Sequence, residues 1–398
     1  MRDRTTTGLF SFGLVFSLLP SMSFPATMPA LMADLQFTAS EAGWLGGIYF
    51  AGYACAVPVL SSGTDRVGAK SIYLTSCLVA VVSSLAFAFW AEGFWSAFIP
   101  RLLGGAALAG VHMPGLKLLT DMVGEKFRMR GAGIYASSYA LGSATSFLFA
   151  GFIEAASNWH FVYGLAALGP ALAAACVLAT PKTPTAAGGP IARIQLRPLL
   201  RNRPLMSYIV AYAGNTWEVF SIRVWFVAYL AWILSRPDND IDLPPLAVVS
   251  GVAAIAGVPA SVVVSELALR VGREKAIIAT CGISVAVCLG LAMSTGAASL
   301  VILPLLILLQ ISSFADVGSL TAGAIAACEP GRRGTSLALF AFTGSLTGFL
   351  GPVIVGISLD AFGGFEQGTG WTAAFLVMAI GSTVAALSVW HLKTNLPK

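Results

Sequence analysis

Charge is scarce in this chain. Of its 398 residues only 10% are Asp, Glu, Lys or Arg, whereas a soluble globular domain carries about 25%. A water-facing surface cannot be built from so few charges, which excludes an ordinary soluble protein. Histidine occurs three times and cysteine six times, and no two cysteines form a C-x-x-C pair. That excludes the common zinc and redox motifs, so no metal site and no cofactor are expected. Cys55, Cys77, Cys176, Cys281, Cys288 and Cys328 read as small apolar packing residues. No Walker A loop, G-x-S-x-G elbow or H-E-x-x-H helix is present, so neither nucleotide-driven work nor an enzymatic reading finds support.

Apolar sequence is abundant: 57% of residues are hydrophobic, and the mean hydropathy is +0.82. A helix needs roughly 20 mostly apolar residues to span a bilayer. Twelve such stretches are predicted, over 8–31, 42–62, 69–91, 94–121, 131–154, 159–180, 205–234, 244–265, 274–295, 299–327, 335–358 and 371–391. The expected fold class is all-α, a membrane protein of twelve transmembrane helices. The first stretch follows Arg2 and Arg4, as a cleaved secretory signal would, but its apolar run is too long and its removal would leave an odd number of spans.

The net charge of +5 follows from topology rather than from nucleic acid, for which no motif appears. With the N-terminus placed inside, 19 of the 23 lysines and arginines fall in cytoplasmic segments and only Arg236 in an outer loop. This bias fits the positive-inside rule. It predicts a multi-pass protein of the inner membrane with both termini cytoplasmic. Trp44, Trp90, Trp95, Trp159, Trp371 and Trp390 sit near span ends, as an aromatic belt would, and His160 and His391 read as interfacial.

The chain also repeats itself. Residues 61–70 read SSGTDRVGAK, and 204 positions later SELALRVGREK restates the frame Ser, four residues, Arg-Val-Gly. Arg130-Gly131 before the fifth span matches Arg333-Gly334 before the eleventh, and Trp159 and Gly169 in the sixth match Trp371 and Gly381 in the twelfth. The one long hydrophilic stretch, 181–204, is rich in Pro and Gly. An N-terminal six-helix bundle over 1–180, a cytoplasmic linker over 181–204 and a C-terminal six-helix bundle over 205–398 are therefore expected, related by an axis along the membrane normal.

At this point the residues resemble the major facilitator superfamily of secondary transporters, over essentially the whole chain. The family's signature after its second helix, Gly-x-x-x-Asp-Arg-x-Gly-Arg-Lys, is followed at Asp65, Arg66, Gly68 and Lys70 and departed from at Ser61 and Ala69. The second copy keeps Arg270, Gly272 and Arg273 but has Leu269 in place of the acid. The resemblance implies a two-bundle fold, transport by alternating access, and a clasp formed by this loop. In that clasp Asp65 is expected to accept from the start of span eleven near Gly334 to Ser336, and Arg66 to pair with Asp121 or Glu125. The alternative is a tight turn in which Gly68 supplies a positive φ. Small residues recur every four positions at Gly43, Gly47 and Ala51 and again at Gly344, Gly348 and Pro352, which predicts close helix packing. GFLGPVIVG in span eleven resembles the Gly-Pro motif that proton antiporters of the family carry in span five, which span five here lacks.

Ionisable residues inside a membrane are costly, so each is a candidate for function. Span four holds Arg101 and His112 on one stripe, with Lys117 expected to snorkel to the interface. Span seven holds Asn215, Glu218 and Arg223; Glu218 is expected to look into a wet cavity or at a cation, with Arg101, His112 and Arg223 as candidates. Span ten holds Gln310 and Asp316, and the repeat sets Asp316 opposite His112. A desolvated carboxylate beside an imidazole suits proton exchange. A static polar network that only fixes helix register is the structural alternative.

The expected function is a secondary active transporter, working as a monomer and moving a small-molecule substrate, a small organic or inorganic anion held by Arg101, His112 and Arg223, into the cell with protons. The competing reading is proton-driven efflux of amphipathic compounds along the aromatic wall of Trp217, Trp225 and Trp232. A further one is a non-transporting membrane sensor on a transporter fold, suggested by Leu269.

Overall fold

Apolar runs of this length have one way to satisfy their backbone amides without water, which is to close them within helices. In the computed structural model, residues 2–181, 196–237, 239, 241–329 and 332–395 are described, and among them there is no strand. Most of the expected linker, 182–195, lies outside these residues. The helices are α1 Arg2–Ser17, α2 Ser23–Leu35, α3 Ala39–Gly63, α4 Ala69–Trp90, α5 Phe94–Met122, α6 Glu125–Ala156, α7 Trp159–Ala166 and α8 Leu168–Leu178. There follow α9 Leu196–Arg201, α10 Arg203–Leu234, α11 Leu246–Val271, α12 Arg273–Met293, α13 Ser299–Ala315, α14 Val317–Ala326, α15 Arg333–Ala361 and α16 Gly368–Asn395.

Ten stretches among the described residues are long and apolar enough to cross a membrane. One of them, Ala39–Trp90, is 52 residues long, about twice what a bilayer needs. It divides at a π-turn, Thr64–Gly68, which separates α3 from α4. Gly68 ends that turn at φ 92° and ψ 136°. Gly272, between α11 and α12, has φ 97° and ψ 137°. The repeated phrase thus builds the same backbone twice, in a region of φ/ψ that only glycine enters readily.

Three of the twelve expected spans are interrupted. The first breaks between α1 and α2, where Pro20 has no N–H to give. The loosened backbone is sealed from α6: Ser146 Oγ accepts from the Met22 N–H at 3.0 Å and donates to the Leu19 carbonyl. The tenth breaks at Asp316, between α13 and α14, and Asn215 of α10 donates to the freed Ser313 carbonyl at 2.7 Å. The sixth breaks at Ala167.

The chain divides into two compact units. Unit 1 comprises Met1–Gln36, Ile48–Ala192 and Pro245–Gly251, and unit 2 comprises Phe37–Gly47, Arg193–Pro244 and Val252–Lys398. The division therefore follows the two halves except at two helices. The first turns of α3 belong with the later residues, and the first turns of α11 belong with the earlier ones.

Among the long apolar helices of unit 1, α5 is the most enclosed. Gly105 lies against the Tyr49 carbonyl, Gly110 against Ser76 and Gly115 against Tyr135, so α3, α4 and α6 approach α5 at distances a side chain would prevent. Within unit 2, α10 has that role, with Gly214 and the carbonyl of Gly381 on α16 in mutual close approach. Gly43 meets the Pro352 carbonyl and Gly47 the Phe349 carbonyl, so α3 closes on α15 there, whereas Gly344 and Gly348 of the second stripe face the rings of Tyr212 and Phe220 on α10. Leu205, Ile209, Ile277, Leu320, Phe340 and Val389 are among the residues of a buried apolar cluster in unit 2.

Candidate functional site

Two carboxylic acids are buried in unit 2, one borne by α10 and the other bonded to Asn215 one turn earlier on that helix. Glu218, on α10 itself, is 0% exposed. Its Oε1 accepts from Ser284 Oγ at 2.8 Å and from Cys288 Sγ at 3.4 Å, both on α12, and its Oε2 accepts from Ser382 of α16. Asp316, at the break between α13 and α14, is 2% exposed. Its Oδ1 accepts from Asn215 Nδ2 at 2.7 Å and its Oδ2 from Cys281 Sγ at 3.3 Å. The hydroxyls of Ser284 and Ser312 are 3.1 Å apart, which extends the network to α13. Asn215 Oδ1 and Gln310 Oε1 are buried without a hydrogen-bond partner.

This arrangement corrects the expectation for Glu218. Its side chain faces neither water nor a cation; its partners are two hydroxyls and a thiol inside unit 2. Among the described residues neither acid forms an ion pair. Arg223, five residues on, turns another way: it is partly buried, with its guanidinium carbon 5.1 Å from the centre of the Phe314 ring and 5.9 Å from that of Phe220. The roughly 140° between the two positions on a helical wheel separates them. The reading of Cys281 and Cys288 as mere packing is corrected as well, since each donates to a buried carboxylate. With Ser284 they occupy one face of α12 at i, i+3 and i+7, the pattern that could have marked them in the sequence.

The indole N–H groups of the aromatic wall of α10 are engaged within unit 2. Trp217 Nε1 donates to the Val377 carbonyl at 3.0 Å, Trp225 Nε1 to Pro352 at 3.1 Å and Trp232 Nε1 to Glu366 at 2.9 Å. These rings fasten α10 to its neighbours within unit 2.

In unit 1, Arg101 is 3% exposed, with its guanidinium carbon 4.7 Å from the Tyr49 ring centre and 5.0 Å from that of Phe24. It lines a pocket with Pro20, Ser84, Phe87 and Tyr163 whose free volume is about 10 Å³. That is room for about one water molecule and not for an organic solute. His112 is partly buried, 2.9 Å through Nδ1 from the Tyr53 hydroxyl and packed on the rings of Tyr135 and Tyr139. Arg101 and His112 thus reach Tyr49 and Tyr53, one turn apart on α3. His112 belongs to unit 1 and Asp316 to unit 2, and each has its hydrogen-bond partners within its own unit.

Around the repeated phrase, Lys117 carries its Nζ to the turn after α3, where it donates to Asp65 and, at 3.1 Å, to Thr64 Oγ1. Arg66 is exposed and forms no ion pair with Asp121 or Glu125 among the described residues. Arg270 is exposed and Arg273 partly buried. A carboxylate that the sequence did not single out, Asp360 in the last turn of α15, accepts from the Ala39 N–H at 3.1 Å and the Ser40 N–H at 2.7 Å. It caps the N-terminus of α3. An acid at the end of a helix is opposed by that helix's own dipole, and this misplacement was the available signal. Among the described residues no group of three or more His, Cys, Asp or Glu side chains could hold a metal ion.

Long apolar helices in quantity, with ionisable groups buried among them, mark a multi-pass membrane protein. The family model for the Major Facilitator Superfamily matches residues 10–352, and the chain belongs to that family. It is 23% identical to the hexuronate transporter of Bacillus subtilis, over 98% of this chain and 94% of that protein. Shorter matches join it to the niacin transporter NiaP of Acinetobacter baylyi, 24% identical over 40% of this chain and 36% of that protein. The shikimate transporter of Escherichia coli is 30% identical over 29% of this chain and 28% of its own length. These two matches therefore span only about a third of the relatives' length. In fold, the chain resembles a bacterial homolog of the human lysosomal transporter Spinster, in an inward-facing and unoccupied conformation, with a TM-score of 0.79, 13% identity and coverage of 100% and 99% of the two chains. The nucleoside transporter NupG gives a TM-score of 0.75 at 16% identity over the whole of both chains.

Proposed function

We propose that the chain is a secondary active transporter that carries a small organic anion into the cell together with protons. The observation that carries the anion is Arg223: a guanidinium at the middle of a membrane helix, flanked by Phe220 and Phe314 and left partly exposed. A cation kept in a membrane protein at such cost marks a solute path, and rings on either side suit a solute with a flat apolar part. Hexuronate, niacin and shikimate, for which three relatives are named, each bear a carboxylate. The proton is supported by Glu218 and Asp316, which have neutral partners only. His112 among its three tyrosines is a further candidate for contact with the solute. The charge bias of the loops supports cytoplasmic termini and the inner membrane, and one chain with two units supports a monomer.

Proteoliposomes holding the purified protein test this directly, with radiolabelled nicotinate, shikimate and glucuronate as probes. Uptake of at least one is expected to rise when the lumen is made alkaline relative to the bath, and Glu218→Gln is expected to abolish the dependence on the gradient. Arg223→Ala is expected to lower the affinity for that probe by roughly tenfold or more, the loss of a charge-assisted contact. Uptake that ignores the imposed gradient would sink the coupling, and binding untouched by Arg223→Ala would sink the anion.

A further inference from the structure

The two buried acids of unit 2 are read by one helix. On α12, Cys281 addresses Asp316 while Ser284 and Cys288 address Glu218, at 3.3, 2.8 and 3.4 Å. All three are buried, as is Ser382, which reaches Glu218 from α16. The groups that face the acids from the packed elements are Asn215 of α10, Ser312 of α13, Ser382 of α16 and the α12 stripe. The titratable groups among them are the two acids themselves and the two thiols.

The chemistry of these donors is informative. Holding a carboxylate as a permanent anion in a protein interior takes a cation or several strong donors, because removing an ion from water costs several kcal/mol. A thiol is a weak donor and a poor substitute for either. A neutral carboxyl group, by contrast, needs little: its carbonyl oxygen is satisfied by one weak donor and its O–H by one acceptor, such as a serine hydroxyl. Around Glu218, Ser284 or Ser382 can turn its hydroxyl from donor to acceptor; around Asp316 the group able to do so is the Cys281 sulfur, since Asn215 Nδ2 only donates. Each acid can therefore take up and release a proton without a change of partners.

We propose that Cys281, Ser284, Cys288 and Ser382 are positioning residues that hold Glu218 and Asp316 as two separately hydrogen-bonded proton carriers, Cys281 serving Asp316 and the other three serving Glu218. The proposal rests on the proton-coupled reading above and adds to it the element that sets each acid. It assigns the thiols a role in the coupling step that no packing argument requires.

Infrared difference spectroscopy on the full-length protein in phospholipid vesicles, recorded on stepping the pH, reads the C=O stretch of protonated carboxyl groups. Glu218→Gln and Asp316→Asn assign the two bands. Cys288→Ala is expected to move the Glu218 band to higher frequency, as the carbonyl loses a donor, and to leave the Asp316 band in place. Cys281→Ala is expected to do the reverse, and Cys288→Ser and Cys281→Ser are expected to bring the respective bands back to or below their starting frequencies, since a hydroxyl is the stronger donor. Thermal unfolding of each variant confirms that the comparison is between folded proteins. Assigned bands that stay fixed when a thiol is removed, or that move together whichever thiol is removed, overturn the positioning role and leave proton coupling standing. Absence of any pH-sensitive carboxyl band in the unmodified protein overturns the proton-coupled reading itself.

Discussion

Asp65 lies in the π-turn Thr64–Gly68, where backbone bonds run i→i+5 and each residue advances less far round the axis than in an α-helix. Its carboxylate accepts from Lys117 of α5, within unit 1. The pair is half exposed, at 33% and 49% of the two side chains, and such pairs contribute only about 0–1 kcal/mol. Lys117→Met is accordingly expected to shift unfolding in a detergent–denaturant titration by less than about 1 kcal/mol. Glu218→Ala is expected to cost about 3 kcal/mol, because it opens a cavity and strands the donors of Ser284, Cys288 and Ser382. Glu218→Gln should recover most of that loss. Equal small shifts for Lys117→Met and Glu218→Ala would contradict the burial argument. Most of the ionisable residues were legible in the sequence, since any charge in a long apolar run stands out. Their partners were not, because Ser284, Cys288 and Ser382 are ordinary residues of membrane helices until a second helix is placed beside them.

Helices show the same division between what the sequence reveals and what packing decides. The stripes Gly43–Gly47 and Gly344–Gly348–Pro352 announced close contact, and in unit 2 the first meets α15 while Gly344 and Gly348 meet α10. The breaks at Ala167 and Asp316 were only faintly marked: Pro170 lacks the N–H that would bond back to Ala166, and Asp316 is a weak helix former two residues before Gly318. Asp360 was hidden for a different reason: its partners are 320 and 321 residues away in the chain. Its carboxylate satisfies two of the four amides that every helix start leaves open, and adds charge where the α3 dipole favours it. Asp360→Ala is expected to remove about 1 kcal/mol from that helix start, which corresponds to roughly fivefold faster hydrogen–deuterium exchange at Ala39 and Ser40. Exchange at the middle of α3 should stay unchanged. An exchange rate at Ala39 and Ser40 indifferent to the substitution would show that water caps the helix equally well.

Across the whole molecule the repeat is kept in the backbone more faithfully than in the side chains. Gly68 and Gly272 have φ of 92° and 97°, and each precedes the first turn of a membrane helix, α4 in unit 1 and α12 in unit 2. The residues three positions earlier differ: Asp65 binds Lys117, whereas Leu269 is 76% exposed. Two accounts of the repeated phrase follow. If its purpose were electrostatic, the second copy would be a relic, and its glycine could be replaced at little cost. If its purpose is the turn, both glycines are held by the same steric rule, since a Cβ at such a φ costs about 1–2 kcal/mol. At Gly272 a Cβ would meet nothing within 4 Å, so the substitution there reads the backbone alone. Gly272→Ala is therefore expected to destabilise unit 2 by about 1–2 kcal/mol, with Gly68→Ala causing a loss of similar size in unit 1. Denaturant titrations of the two variants in the same lipid–detergent mixture provide the comparison. A neutral Gly272→Ala beside a costly Gly68→Ala would return the phrase to an electrostatic role; matched losses place its meaning in the backbone, where both halves still agree.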